Sequence, residues 1–475
     1  LAEPLRDRLA PLHWPLELPE ALAAGGFDAI VGNPPFVGGR RISTTLGDDH
    51  ARWLARRYDG SKNADLCAFF FRRAGELLAE DGAAGLLATN TIGQGDTRET
   101  GLAVLVERGA VIYDATAARA WPGDASVTLS IVHFARGEAA RRAGRPRLDG
   151  APVTAINSRL RPGAERPPPR RLPERRGESF QGTVVLGRGF LLTPAERDAL
   201  VAEAPANAER IAPYVGGEEV NTSPTQAPRR HVIDFGALEL HEAARWPTLL
   251  ERLRRDVKPA RDRVKRKALR ERWWRHADHR PGLYEAVRGL SRCLVNSQVS
   301  RHLIFAFQPT GRVYAHTLYV YPFCDYARFA LLQSRVHGAW ARLLASTLGS
   351  AGLRYTSTDC FDTFPFPPAR ALAKGGALEL AGAAAHALRA ELAARRELGL
   401  TAIYNRLRDR ACDDPAIARL RELHLELDRA ALAAYELSIT PPPYVAPRDA
   451  DEARALAAFE EAVIDRLYAL NAARG

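Results

Sequence analysis

"FDAIVGNPPFVGG" occupies residues 27–39. A short apolar run stops on Asn33-Pro34-Pro35-Phe36, and two glycines come next. Such a run, too short for a helix and closed by turn residues, reads as a buried strand. The elements after it decide the fold. "ADLCAFFFRRAGELLAEDG" has helical spacing and stops at Gly82, and "AAGLLATNTI" is a second buried strand. "RETGLAVLVERG" gives a helix ending at Gly109, "AVIYDATAAR" a third strand and "SVTLSIVHFARG" a fourth. Apolar strands alternating with crossover helices predict a mainly parallel α/β sheet covered on both faces, with one antiparallel edge. That pattern is the second half of a doubly wound sheet.

Beyond it the chain changes character. Residues 141–182, with "RPGAERPPPRRLPERRG", are rich in Arg and Pro, lack periodicity and read as a linker. Residues 183–368 mix short strands ("RCLVNSQVS", "HLIFAF", "VYAHTLYVY") with a helix through "ARFALLQSRVHGAWARLLASTLG", an α+β pattern. Residues 369–475 carry helical spacing throughout, broken by "TPPPYVAPRD". The division is therefore 1–140, 141–182, 183–368 and 369–475, the helical tail either clamping a ligand or packing on the first domain.

The 475 residues hold 67 Lys plus Arg against 56 Asp plus Glu, a net charge of +11, so a polyanion is the natural partner. An Arg-rich codon habit is the bland alternative. Cys67, Cys293, Cys324, Cys360 and Cys412 have no metal-ligand spacing, which predicts a reduced, cytoplasmic protein without a metal. No run approaches the roughly 20 apolar residues of a membrane span. The chain has no Met, and Leu1 opens into what reads as the middle of a domain, as a fragment would.

In open parallel sheets ligands bind beyond the carboxyl ends of the strands, where residues 33–36 stand. Pro34 and Pro35 lack N–H groups, so the turn offers acceptors without competing donors and a fixed φ. With the Asn33 side-chain oxygen, the Pro34 carbonyl can hold both hydrogens of an –NH2 group. An amine on an aromatic ring is a poor nucleophile, and that cradle favours its pyramidal, attacking form. Phe36 supplies a flat face for an extruded base. A plain strand-to-loop turn with one buried aromatic is the competing reading of the bare tetrapeptide.

"DAIVGNPPFVGG" resembles the catalytic motif of adenine-N6 DNA methyltransferases whose target-recognition domain is C-terminal. "HWPLELPE", "DLCAFFFRRAGELLAEDGAAGLLATNTIGQGDTRETGL" and "WPGDASVTLSIVHF" are similar to large methyltransferases of restriction-modification and DISARM-type phage-defence systems. The likeness continues through "WWRHADHRPGLYEAV", "LLQSRVHGAWA", "RYTSTDCFDTFPFPP" and "GLTAIYNRLRD". It implies the second half of a class I (Rossmann-like) methyltransferase sheet, an α+β target-recognition domain and a helical C-terminal region. It also implies S-adenosylmethionine as donor, double-stranded DNA as substrate, a nuclease or defence-system partner, and catalytic roles for Asn33, Pro34, Pro35 and Phe36. The chain departs from the family in one respect: the glycine-rich donor-binding loop, on a strand before the Asn-Pro-Pro turn, does not occur here. Beyond Asn33 no donor-binding residue is assigned, and the chain alone is expected to be weak or inactive.

Other stretches carry weaker expectations. In "ERLRRDVKPARDRVKRKALRERWWR", residues 251–275, Arg261, Arg263, Lys265, Arg266, Lys267 and Arg270 form a phosphate-tracking surface or a solvated helix face. Arg301 and Arg312, flanking strands, are candidates for base edges. Gln94, Asp96 and Arg98 in "GQGDTRETG" either line the adenine or donor pocket or cap a helix starting near Arg98. Trp121 and Pro122 read as core packing. "HADH", 276–279, lacks zinc-site spacing, and no nuclease motif is found. Two rival functions stand beside DNA methylation: methylation of RNA adenine or protein glutamine, and a non-catalytic DNA-binding specificity fragment.

Overall fold

The computed structural model describes residues 14–121, 128–347 and 352–475, and divides into two units, Leu1–Pro168 and Pro169–Gly475. Pro122 lies outside the described residues, as do Ser126 and Val127 at the predicted start of the fourth strand.

The first unit is built on β1 (Phe27–Gly32), β2 (Leu78–Thr89), β3 (Val111–Ala120), β4 (Thr128–Ala135), β5 (Arg147–Leu148) and β6 (Ala151–Pro152). Their order in the sheet is β1-β2-β4-β3-β5-β6. β1 runs parallel to β2, with Gly32 opposite Leu86, while β4 lies antiparallel between β2 and β3. The antiparallel strand is thus inside the sheet and not at the predicted edge. Apolar runs on both sides of a short connection fix strand content but not which neighbour each strand takes.

β1 is not buried. Among the described residues it pairs only with β2, and Asp28, Ala29 and Val31 face solvent, Val31 with 86% of its surface exposed. The sheet is covered on one face, where α1 (Leu66–Leu77) and α2 (Leu102–Glu107) pack Phe71, Leu102 and Leu105 against Leu86, Ile112, Val132 and Phe134. The opposite face is apolar yet half-open, with a cavity of about 230 Å³ over Ala29, Val31, Gly85, Leu87, Ile131 and His133. α1 ends at Leu77, short of the predicted Gly82, because Leu78 pairs with Phe27 and Ala83 with Ala29, so "AEDG" is taken up in the strand's irregular start. Gly26, at φ +129, is needed there: a Cβ would lie 2.6 Å from the Ala79 nitrogen.

The boundary between the two units, at Pro168 and Pro169, falls within residues 141–182, yet the stretch is not free of ordered structure. β5 extends the sheet alongside β3, and Ile156 and Leu160 enter the same core. At the far end, β7 (Phe180–Gln181) pairs with a strand of the second unit. Composition concealed this because the ordering contacts are single apolar residues and polar bonds, without any period.

The second unit has two four-stranded sheets. β8 (Leu191–Leu192), β9 (Ile211–Val215), β10 (Arg230–Ile233) and β14 (Val313–Tyr314) form one; β7, β11 (Arg292–Ser297), β13 (Phe305–Pro309) and β15 (Leu318–Tyr321) form the other. β12 (Val299–Ser300), β16 (Ser346–Thr347) and β17 (Leu353–Arg354) form a short third sheet. The helix predicted over 327–349 is two, α3 (Tyr326–Gln333) and α4 (Arg335–Leu344), broken at Ser334. The Arg335 N–H and Nε both donate to the fully buried Asp428 carboxylate, at 2.7 and 2.6 Å, which draws the backbone out of the helix. Asp428 lies on α7 (Pro415–Ala434), one of the tail helices with α5 (Ala377–Arg396), α6 (Leu400–Arg408) and α8 (Ala450–Arg474). These helices share one core with the second sheet, through Trp340, Phe361, Leu420 and Leu467.

Candidate functional site

Asn33 emerges where β1 ends, exposed; Pro34 is buried, Pro35 exposed and Phe36 half-buried against the first unit's core. A buried proline between two accessible residues anchors the turn and leaves its neighbours facing outward. The turn is held further along: Val37 accepts a backbone hydrogen bond from Leu66 at 2.9 Å. Gly39 abuts the next loop so closely that a Cβ would sit 2.3 Å from the Asn63 carbonyl carbon. Only glycine fits that approach.

The loop at 61–65 is fixed by groups that sequence reading did not single out. Asp65 caps α1 by accepting from the Cys67 N–H at 3.1 Å, and its own N–H donates to Thr97 Oγ1 at 3.1 Å. Ser61 N–H donates to Thr100 Oγ1 at 3.0 Å. An Asp followed by an apolar helical run is a capping signal, so Asp65 was findable; its link to Thr97 was not. The neighbouring parallel strand β2 ends at Thr89, whose hydroxyl lies 2.7 Å from that of Thr91.

Of the three pocket candidates in residues 93–101, Asp96 is exposed, Gln94 half-buried and Arg98 buried. Arg98 is engaged within the first unit: its guanidinium donates to Ser158 Oγ at 2.9 Å and lies 3.6 Å from the Glu165 carboxylate, which itself accepts from Ser158 N–H and Oγ at 2.7 Å. It staples the "INSRL" turn to the helix Gly95–Thr100, which begins three residues before Arg98. Trp121 is not core: 37% of its surface is exposed.

The basic run divides in two. Arg263, Lys265 and Arg266 are exposed and form no ion pair among the described residues; Lys267 is exposed and lies 3.5 Å from Glu271. Arg261 is buried, donating to the carbonyls of Val185 and Leu186 at 3.0 and 2.8 Å. Arg270 is turned onto the carbonyls of Val264 and Lys265 at 2.7 and 2.9 Å. Trp273 and Trp274 are core residues. Arg301 is exposed, and Arg312 is half-buried with a bond to Gln308 Oε1 at 3.1 Å. No group of His, Cys, Asp or Glu among the described residues could hold a metal ion.

A half α/β sheet with Asn-Pro-Pro-Phe beyond its first strand, leading into a basic α+β unit, has the layout of a base methyltransferase joined to a recognition domain. Family comparisons name both parts. Residues 2–102 match the model of the Eco57I restriction-modification methylase, and residues 179–368 that of the MmeI target recognition domain. The fold is similar to the type IIL restriction-modification enzyme MmeI, solved in complex with DNA, at a TM-score of 0.74 and 19% identity, covering 96% of this chain and 59% of that one. The chain thus spans about three-fifths of that MmeI chain. Weaker likenesses are to the type IIG restriction endonuclease BpuSI (TM-score 0.29, 11% identity, 86% and 54% covered) and to a DrdV–DNA complex (0.34, 11%, 79% and 45%). No curated protein matches the chain significantly. Stretches similar to a restriction-modification methylase and to the MmeI target recognition domain therefore follow one another in this sequence. No helix among the described residues is long and apolar enough to cross a membrane.

Proposed function

We propose that this chain is the acceptor-holding and target-reading part of a cytoplasmic DNA methyltransferase that modifies N6 of an adenine extruded from duplex DNA, in a restriction-modification or phage-defence system. The observation that carries the reading is the turn itself: an exposed Asn33 and a half-buried Phe36 flanking a buried Pro34 at the carboxyl end of a parallel strand. Asn33 Oδ1 and the Pro34 carbonyl accept the two amine hydrogens, stabilising positive charge as it grows on the nitrogen, an effect often worth a few kcal/mol. Phe36 stacks on the base, contributing on the order of 1–3 kcal/mol. Pro35 removes the next N–H and keeps the cradle free of donors.

S-adenosylmethionine would supply an electrophilic methyl group. The described residues fit the acceptor side and not a donor loop of the acidic-x-x-x-Gly-x-Gly type, since the turn after β1 is Asn-Pro-Pro and the Gly93-Gln94-Gly95 stretch after β2 has Thr89, not an acid, four residues before Gly93. In this reading residues 183–368 read the target sequence and residues 369–475 brace them. Two measurements test it. Calorimetric titration with S-adenosylmethionine, on this chain and on the reading frame extended upstream, is expected to show uptake by the extended form alone. Nucleoside analysis of duplex DNA treated with the form that takes up donor is expected to yield N6-methyladenine. Methyl label on cytosine, on RNA alone or on protein would reject the assignment.

A further inference from the structure

The second unit holds a cleft of about 550 Å³, within the roughly 300–1,000 Å³ range of ligand sites. Its polar walls include Arg301 and His302 after β12, Arg335 and Arg342 on α4, Tyr404 and Arg408 on α6, and Glu460 on α8. The recognition sheets and the helical tail therefore build it together.

Four arginines face it, and their counter-charges do not balance them. Arg335 is neutralised by Asp428, and its other nitrogens donate to the Pro442 and Pro443 carbonyls at 2.5 and 3.3 Å. Arg342 pairs with Glu460 at 2.6 Å. Arg301 and Arg408 have no carboxylate within ion-pair distance among the described residues, which leaves two positive charges in excess. Like charges gathered in a partly desolvated cleft repel one another unless an anion enters. Burial lowers the pKa of Arg408, and Arg342 and Arg335 lower it further, against Tyr444 and Glu460, which raise it. His302, hydrogen-bonded to Asn405 at 2.8 Å, is also shifted down, by burial first and then by Arg301 and Arg408.

We propose that this cleft binds backbone phosphates of a nucleic-acid strand, with Arg301 and Arg408 as the ligating groups and Arg335 and Arg342 as fixed walls. The assignment to nucleic acid rests on the proposed function and on the exposed Arg263, Lys265 and Arg266 of the same unit. Two planar guanidiniums without partners match the oxygens of a phosphodiester. Saturated Arg335 holds the shape of the site and contributes only field. The tail helices, on this view, complete a DNA contact that the recognition sheets alone do not form.

The test uses the full chain and a labelled duplex of mixed sequence, titrated over a series of salt concentrations. Arg301→Gln with Arg408→Gln is expected to make the slope of log affinity against log salt shallower by about 0.9 per lost phosphate contact, equally for unrelated sequences. Its thermal midpoint at low salt is expected to be no lower than that of the parent, because a repulsion is relieved. Arg301→Gln alone, at an exposed position, gives the same reading for one contact if the double variant does not fold. A folded variant with the parent's slope and affinity overturns the proposal. Stabilisation of the parent but not the variant by inorganic phosphate, with duplex binding unchanged, overturns the nucleic-acid assignment in favour of a free anion. If the parent binds duplex and the variants lose nothing, the cleft alone fails; if the parent binds no duplex at low salt, the proposed function fails with it.

Discussion

At the scale of single residues, the chemistry rests on Asn33. Its side chain is exposed, so replacing it costs little packing, and Asn33→Ala is expected to abolish methylation while leaving duplex affinity nearly intact. Product quantification beside a binding titration checks this, and a variant keeping a tenth of the parent's activity would reject the amine cradle. Arg98 separates a structural role from a pocket role. Arg98→Gln leaves Ser158 and Glu165 short of a buried donor and is expected to cost about 1–3 kcal/mol, read as a lower urea midpoint. An unchanged midpoint with impaired catalysis would return Arg98 to the pocket. The Asn-Pro-Pro-Phe turn was legible because its residue types leave the backbone few options. Arg98 and Arg261 were not, since a charged residue in a polar stretch looks the same whether it faces water or binds groups sixty or more residues away.

At the scale of elements, strands and helices in residues 27–135 were legible from apolar runs and their spacing, but partners were not. Nothing in "SVTLSIVHFARG" says that it inserts between β2 and β3, because insertion depends on the direction in which a connection returns. The break at Ser334 was hidden for a similar reason: Asp428, which causes it, lies 93 residues from Arg335. The end of β10 carries a pH-sensitive cluster of the same long-range kind. Asp234 accepts from Gly236 N–H at 2.8 Å and lies 3.2 Å from His279 Nε2. Burial pushes the Asp234 carboxyl up, but the His279 hydrogen bond and neighbouring imidazoles outweigh it and hold the pKa at about 2. The Asp234 bond in turn raises His279 above its ordinary 6.5. Asp234, depressed when folded, stabilises above its ordinary 3.8 and loses that contribution as pH falls through about 2. His279, raised when folded, stabilises below 6.5 and loses its contribution as pH rises through its folded value. Stability from this pair is therefore greatest between about 4 and 6.5. Asp234→Asn is expected to remove both limbs in thermal melts across pH, and a variant with the parent's pH profile would show that the pair contributes nothing.

At the scale of the whole chain, the 67 Lys and Arg side chains overstate what is free to meet a polyanion. Arg254 with Glu251, Arg255 with Asp256 and Lys258 with Asp262 are pairs at 2.7 to 2.8 Å, so much of the run at 251–275 is locally neutral. Of the remaining charges, Arg263, Lys265 and Arg266 lie close together, exposed and without an ion-pair partner among the described residues. Phosphate contacts add affinity without discriminating bases, and each released counterion contributes about 0.9 to the salt slope. Replacing Arg263, Lys265 and Arg266 by Gln together is expected to weaken binding to all duplexes alike and to flatten the slope by up to about three units, while the preference between target and unrelated sequence is kept. Fluorescence anisotropy over a salt series reads both quantities. Because these side chains are exposed and unpaired, the substitutions remove no internal contact, and a loss of binding cannot be ascribed to unfolding if the thermal midpoint holds. Unchanged affinity at low salt would mean that this segment is solvated surface, and that the chain meets its polyanion through groups such as Arg301 and Arg408 instead.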